Sequence, residues 1–329
     1  MTDTGITDMT YTGLTKYDIE FVLDAHDRAL EHAVSVVIPA YNEAAHVAGQ
    51  ITAVREVMED TGWRYEIIVV DDGSSDETVA RAVETGVRVL RHPRNRGYGA
   101  SLKQGINAAR YDWILITDAD GTYPAAAIPE LLTAADDNAM VVGARTGGTV
   151  EIPFARRPAK AFLRWLASYL AEQQLPDINS GLRLMRKDLV QRYVHLLPSG
   201  FSFTTTITLA AVTNDFAVHY IPIDYFARLG ESKIRARHAF DFTLLILRTI
   251  TLFNPLRIFL PLGALVAAAG FAKFAYDLLH GSLSESAVLG LLGAMIVWAV
   301  GLLADQNARI AHSLGRLTPP APHREPGQP

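Results

Sequence analysis

Apolar and polar positions are distributed along this chain in two regimes. From Val34 to about Arg145, short apolar runs rich in β-branched residues alternate with amphipathic stretches. The runs VSVVIPA (34–40), YEIIVVDD (65–72), VRVLRH (87–92), DWILITDAD (112–120) and MVVGAR (140–145) have the length and composition of strands. Helical spacing occupies Glu43–Asp60, Asp76–Glu84, Tyr98–Arg110 and Ala125–Ala135 between them. Strands apolar on both faces and separated by helices predict a mostly parallel α/β open sheet covered on both sides. Such sheets bind ligands at the carboxyl ends of their strands.

The second regime lies near the end of the chain. Leu256–Leu279 and Ala287–Ala304 are apolar runs long enough to cross a bilayer, for which about 20 residues suffice. The second run carries no charge, and in the first Arg257 and Lys273 are placed to snorkel. The short loop 280–286 makes the two an antiparallel hairpin. It has no Lys or Arg, whereas Arg248 and Arg257 precede the hairpin and Arg309 and Arg316 follow it, so the positive-inside rule puts both termini and the α/β domain in the cytoplasm. The preceding segment, 238–255, is expected to be a helix lying in the membrane interface. The organisation expected is an N-terminal arm (1–32) with a short helix at Tyr17–Leu30, an α/β domain (33–237), the interfacial segment, the hairpin and a cytoplasmic tail (305–329). The arm is polar and has no apolar h-region, so it is not expected to be a signal peptide.

The hairpin explains why 49% of the 329 residues are hydrophobic, which is high for a soluble protein. A net charge of -5 gives no reason to expect nucleic acid, although basic residues cluster at Arg156–Arg164 and Arg228–His238, where they call for a local anion. With no cysteine there is neither a disulfide nor a thiolate metal site, and the ten histidines show no HExxH spacing. No GxGxxG follows the first strand and no GxxxxGK[ST] is present, which disfavours a Rossmann site and a P-loop.

What remains at the strand ends is polar and acidic: Pro39-Ala40-Tyr41-Asn42-Glu43, Asp71-Asp72-Gly73-Ser74 and Asp118-Ala119-Asp120-Gly121. With 21 aspartates in the chain, about one D-x-D arises by chance, so position carries the argument. Two carboxylates at a strand end, followed by a glycine that lets the chain turn, suit a hard divalent cation bridging a diphosphate. Ser75 and Asp76 read as helix capping, Asp72 as functional.

Taken together and in order, VSVVIPAYNEAAHV, IIVVDDGSSDET, NRGYGASLKQGI and DADGTYP resemble the family 2 glycosyltransferases of GT-A fold. SGLRLMRKDL (180–189) and RLGESKIR (228–235) resemble, within that family, the polyprenyl-phosphate sugar synthases related to dolichol-phosphate mannose synthase. The resemblance implies a nucleotide-sugar donor held by Pro39, Tyr41, Asn42, Glu43, Val70 and Asp72, and Mg²⁺ or Mn²⁺ on Asp118 and Asp120. It implies a polyprenyl-phosphate acceptor met by Arg145, Arg157, Ser180, Arg183, Arg228 and Lys233, with Arg145 and Arg183 grouped with the two aspartates as catalytic. The synthase group has a Gln two residues after the second Asp as a further metal ligand. Here Thr122 stands in that place, and either its hydroxyl or water completes the set.

An ionised lipid phosphate needs no general base, so the site would mainly align, neutralise and exclude water. The implied product is a β-linked lipid-phosphate hexose from GDP-mannose or UDP-glucose. The alternative is transfer to a sugar hydroxyl of a glycan or glycolipid. A processive polysaccharide synthase is disfavoured because QxxRW is lacking: the single Arg-Trp, Arg164-Trp165, is preceded by Ala161 and lies before the SGLR segment. A non-enzymatic member would be expected to lose the acidic residues that are present here.

Overall fold

The computed structural model describes residues 32–146, 168–169, 173–200, 202–226, 251, 254–281 and 284–317, with side chains to 310. The expected arm helix, Arg157, Arg228, Lys233 and, apart from Thr251, Asn254 and Pro255, the expected interfacial segment lie outside the described residues.

Among the described residues up to 226, a seven-stranded sheet runs in the order β3-β2-β1-β4-β6-β5-β7. Its strands are β1 (Ala33–Ala40), β2 (Arg64–Asp71), β3 (Arg88–Arg91), β4 (Trp113–Ile116), β5 (Met140–Ala144), β6 (Arg183–Arg186) and β7 (Val218–Pro222). The helices are α1 (Val47–Glu59), α2 (Thr78–Glu84), α3 (Tyr98–Ala108), α4 (Ile128–Thr133), α5 (Lys187–Tyr193) and α6 (Phe203–Val212), with a 3₁₀ turn at Ala125–Ala127. β1 pairs in parallel with β2 and β4, and β3 extends the parallel run. β6 is antiparallel to both β4 and β5.

Period-two alternation along β1 feeds two cores. Val36 and Ile38 pack with Ile51, Val54 and Met58 of α1 on one face, while Val37 packs with Leu102 and Ile106 of α3 on the other. Burial on both faces is why these strands read as continuous apolar runs.

Several element boundaries shift, α1 beginning at Val47 rather than Glu43, α2 at Thr78 rather than Asp76, and α3 ending at Ala108 rather than Arg110. β4 ends at Ile116, so Asp118 and Asp120 stand on the turn beyond the strand. The expected helix 125–135 divides into the 3₁₀ turn and α4, with Pro129 in α4's first turn. β6, β7, α5 and α6 were not anticipated as elements.

Topology sets the site. Because β6 runs against β4, with Ile116 opposite Arg183, the entry to β6 lies at the same edge as the exit from β4. The exit from β5 returns to that edge as well, β5 being antiparallel to β6. The ends of β1, β2, β4 and β5 and the start of β6 therefore line one edge.

α7 (Leu256–Leu279) and α8 (Glu285–Leu317) form the hairpin. The spans Leu256–Leu279 and Glu285–Ile310 are long and apolar enough to cross a membrane, and only 17% of either apolar window is buried within the protein. Small residues bring the two helices together: Gly263 faces Trp298, Gly270 faces Gly290, and Gly301 faces Phe259. α7 also carries Asp277, a charge that its hydropathy masks. Asp277 is buried where the hairpin turns and accepts bonds from Lys273 and from the Ser284 amide and hydroxyl, the amide at 3.0 Å. Ile258, in the first turn of α7, packs against the α/β core, and Arg257 donates to the carbonyl of Tyr169, joining the hairpin to the catalytic domain.

Candidate active site

The loop after β1 is clamped to the loop after β2. The Asn42 amide donates to Ser74 Oγ at 2.9 Å, the Ser75 amide to Asn42 Oδ1 at 2.9 Å, and the Glu43 amide to Thr78 Oγ1 at 2.8 Å. Asn42 takes a left-handed conformation (φ 55°), and Tyr41 beside it is exposed. Pro39 and Val70 are register partners on adjacent strands. The six residues implied for the donor thus lie on two neighbouring strand ends. The N-cap of α2 is Glu77, without a side-chain cap bond, rather than Ser75 or Asp76; Asp76, one residue earlier, accepts from the Thr78 amide through Oδ1 at 3.0 Å.

Asp72 is 4% exposed and committed to the next loop. Its Oδ1 lies 2.6 Å from His92 Nδ1 and accepts from the Arg96 amide at 2.8 Å, and its Oδ2 accepts from the Gly97 amide at 2.8 Å. The carboxylate fixes residues 92–97 at the start of α3. Tyr98, the first residue of α3, then donates its phenol to Asp118 Oδ1 at 2.9 Å. Burial, together with the charge and hydrogen bond of Asp118, raises the pKa of Tyr98 well above that of a free phenol.

The turn after β4 places the two aspartates differently. Asp120 Oδ1 accepts from the Thr122 amide at 3.1 Å and hydroxyl at 2.7 Å, so buried Thr122 orients that carboxylate. Gly121 makes the turn with φ 72°. Asp118 lies against Gly181 at the entry to β6, where a Cβ would come within 2.7 Å of Asp118 Oδ2. Tyr123, pressed beside Tyr225, accepts from the Gly181 amide at 2.6 Å and fixes that approach.

Arg183 and Arg145 have opposite fates. Arg183 is wholly buried, and among the described residues its hydrogen bonds go to carbonyls, a hydroxyl and a thioether. It donates to the Ser180 carbonyl from Nε at 3.1 Å and from a terminal nitrogen at 2.6 Å, and to the Thr204 carbonyl at 3.1 Å and Thr208 Oγ1 at 2.8 Å. Burial lowers its pKa. Ser180 is buried too, and its hydroxyl donates to the Leu182 carbonyl at 3.4 Å. Arg145 makes a two-pronged pair with Asp177, at 2.7 and 2.9 Å, and lies over the Tyr225 ring. Burial disfavours both charges. The pair's hydrogen bonds and mutual attraction outweigh it, raising the Arg145 pKa and lowering that of Asp177.

The donor set fits a hard divalent cation. It offers two half-buried carboxylates on one turn, each with an oxygen oriented by a protein hydroxyl, as the partners of metal ligands are. Among the described residues no third Asp, Glu or His completes a protein cage, which suits a cation whose other ligands are diphosphate oxygens and water. The sequence reading missed Tyr98, Asp177 and Gly181. Two of them stand inside quoted motifs, and Asp177 lies just ahead of SGLR.

Comparison with known proteins agrees with this architecture. Residues 35–194 match the glycosyl transferase family 2 domain and residues 254–310 the GtrB C-terminal hairpin. The undecaprenyl-phosphate 4-deoxy-4-formamido-L-arabinose transferase of Enterobacter sp. is 30% identical over 247 residues, covering 73% of this chain and 74% of the relative. The dolichol-phosphate mannosyltransferase of Pyrococcus furiosus is 31% identical over 222 residues, covering 64% of this chain and 61% of the relative. Glucosyl-3-phosphoglycerate synthase of Mycobacterium tuberculosis, solved with Mn²⁺ and UDP, superposes with a TM-score of 0.54 at 20% identity over 74% of this chain and 83% of that one, a likeness of fold. The chain belongs to the family 2 glycosyltransferases. It is a glycosyltransferase with a GT-A-like sheet and a GtrB-type hairpin.

Proposed function

We propose that this enzyme transfers a hexose from a nucleoside-diphosphate sugar, GDP-mannose or UDP-glucose, to the phosphate of a membrane polyprenyl phosphate with inversion, yielding a β-linked lipid-phosphate sugar at the cytoplasmic face. The observation that carries this reading is the apolar hairpin fused behind the site, which suits a substrate whose tail stays in the bilayer. The names of relatives that act on undecaprenyl and dolichol phosphate support it.

The chemistry is consistent with the carboxylates of this edge. Attack by a sugar hydroxyl needs a base, whereas a phosphate monoester arrives ionised. Asp72, Asp118, Asp120 and Asp177 all accept protein hydrogen bonds. Mg²⁺ or Mn²⁺ held by Asp118 and Asp120 would supply charge neutralisation for the departing diphosphate. Thr122 holds Asp120 in place through its amide and hydroxyl, and water would complete the ligand set. Pro39, Tyr41, Asn42, Glu43, Val70 and Asp72 form the donor end, Asp72 by ordering the loop ahead of Tyr98. Arg145, fixed by Asp177 with 21% of its side chain exposed, faces the acceptor phosphate. Arg183 acts by holding Ser180 and the Gly181 approach.

On the family resemblance, Arg157, Arg228 and Lys233 complete the acceptor contacts. Arg228→Ala and Lys233→Ala should each raise the KM for polyprenyl phosphate about ten- to a hundredfold, the loss of one charge-assisted hydrogen bond, with nucleotide-sugar affinity near wild type. Equal use of a soluble short-chain prenyl phosphate by mutant and wild type would reduce these residues to headgroup contacts.

Membranes containing the enzyme, given a panel of labelled nucleotide sugars, should form a labelled lipid that is labile to acid and stable to mild alkali. Label found only in glycan or glycolipid would establish the hydroxyl acceptor instead. A reporter fused after Ala311 should be cytoplasmic, and a signal from the opposite side would reverse the orientation.

A further inference from the structure

The carboxylate of Asp118 stands two residues beyond the last residue of β4. Two contacts flank it. On one side the Tyr98 phenol donates to Oδ1 at 2.9 Å; on the other, the α-carbon of Gly181 is so close that a methyl group there would lie 2.7 Å from Oδ2 and 2.9 Å from the carboxyl carbon. Tyr98 is itself anchored. The Gly97 amide is fixed by Asp72 Oδ2 at 2.8 Å, the Ala100 amide donates to the Ser199 carbonyl at 3.0 Å, and the ring packs against the core beneath the sheet.

The geometry points to Tyr98 as a positioning residue for the metal carboxylate, linking Asp72 at the end of β2 through Gly97 to Asp118 at the end of β4. The inference rests on Asp118 being a metal ligand. A carboxylate that receives a directed hydrogen bond on one oxygen presents the other in a fixed orientation, and loss of such a partner typically weakens metal affinity ten- to a hundredfold. A purely structural role for Tyr98, satisfying its own phenol and filling space under α3, would affect melting and leave metal affinity alone.

The test uses the full chain in detergent and Mn²⁺ alone, with bound ion read from the loss of the free aqua-ion signal in electron paramagnetic resonance. Tyr98→Phe keeps the ring and removes the donor, and should raise the Kd for Mn²⁺ about tenfold while the metal-free melting temperature stays near wild type. Gly181→Ala displaces the same carboxylate from the other side and should weaken Mn²⁺ to a similar degree, which keeps the test open if Tyr98→Phe fails to fold. Asp118→Asn serves as the reference for the site. If Asp118→Asn loses Mn²⁺ while Tyr98→Phe, or Gly181→Ala in its place, binds as wild type, the positioning role is overturned. If Asp118→Asn itself binds Mn²⁺ as wild type, the metal reading beneath it fails.

Discussion

Asp118→Asn and Asp120→Asn should each lower sugar transfer about a thousandfold while the protein still folds. Asparagine keeps the shape of the side chain and its acceptor oxygen, so the Tyr98 phenol at position 118 and the Thr122 amide and hydroxyl at position 120 keep their partner. What changes is charge. In the proposed metal site, with no third protein ligand among the described residues, each aspartate would contribute half of the negative charge offered to a divalent cation. Loss of the electrostatic stabilisation of a leaving diphosphate costs about 4 kcal/mol, about three decades in rate. Chelation with EDTA should reproduce the loss in the wild type and add little in either variant. Undiminished wild-type transfer in EDTA would remove the metal from the mechanism.

Of the five strands that the sequence made legible, β1 to β5, β1, the second half of β2 and β5 are buried on both faces and rich in Val and Ile, so they read as largely apolar runs. The elements it hid break the rule in two ways. α6 reads FTTTITLAAV and is buried along its whole length, so it shows no amphipathic stripe, and its Thr and Ile content imitates a strand. β6 begins and ends with arginine, and nothing in RLMR tells that Arg183 is wholly buried while Arg186 is exposed. The partners that permit that burial include Thr204 and Thr208, 21 and 25 residues on, and meet Arg183 only once β6 has inserted beside β4. The candidate site divides likewise. The placement of Asp72, Asp118 and Asp120 at strand ends follows from pattern and turn residues. The Tyr98–Asp118 bond requires the geometry of the loop before α3, and the Arg145–Asp177 pair spans 32 residues with no spacing signal.

That ion pair carries the second large effect. Asp177→Asn should destabilise the folded enzyme by about 3 kcal/mol, the lower end of the cost of breaking a buried pair, since side-chain exposures of 21% for Arg145 and 10% for Asp177 leave some solvent screening. The variant retains an acceptor for the guanidinium but leaves the Arg145 charge over the Tyr225 ring without its carboxylate. The pH dependence gives a separate signature. Burial alone would raise the Asp177 pKa, but the hydrogen bonds and charge of Arg145 outweigh it, and the folded value lies below the ordinary 3.8. The unfolded chain therefore binds this proton more readily than the folded one. Its contribution to stability is present above about pH 4 and lost as pH falls through the lower folded value. Thermal unfolding of the solubilised enzyme should show a large gap between wild type and Asp177→Asn at neutral pH that narrows on acidification below about pH 4. A gap that does not narrow there would mean that Asp177 stabilises the entry to β6 through neutral hydrogen bonds, such as the one it accepts from the Asn179 amide at 3.0 Å, rather than through its charge.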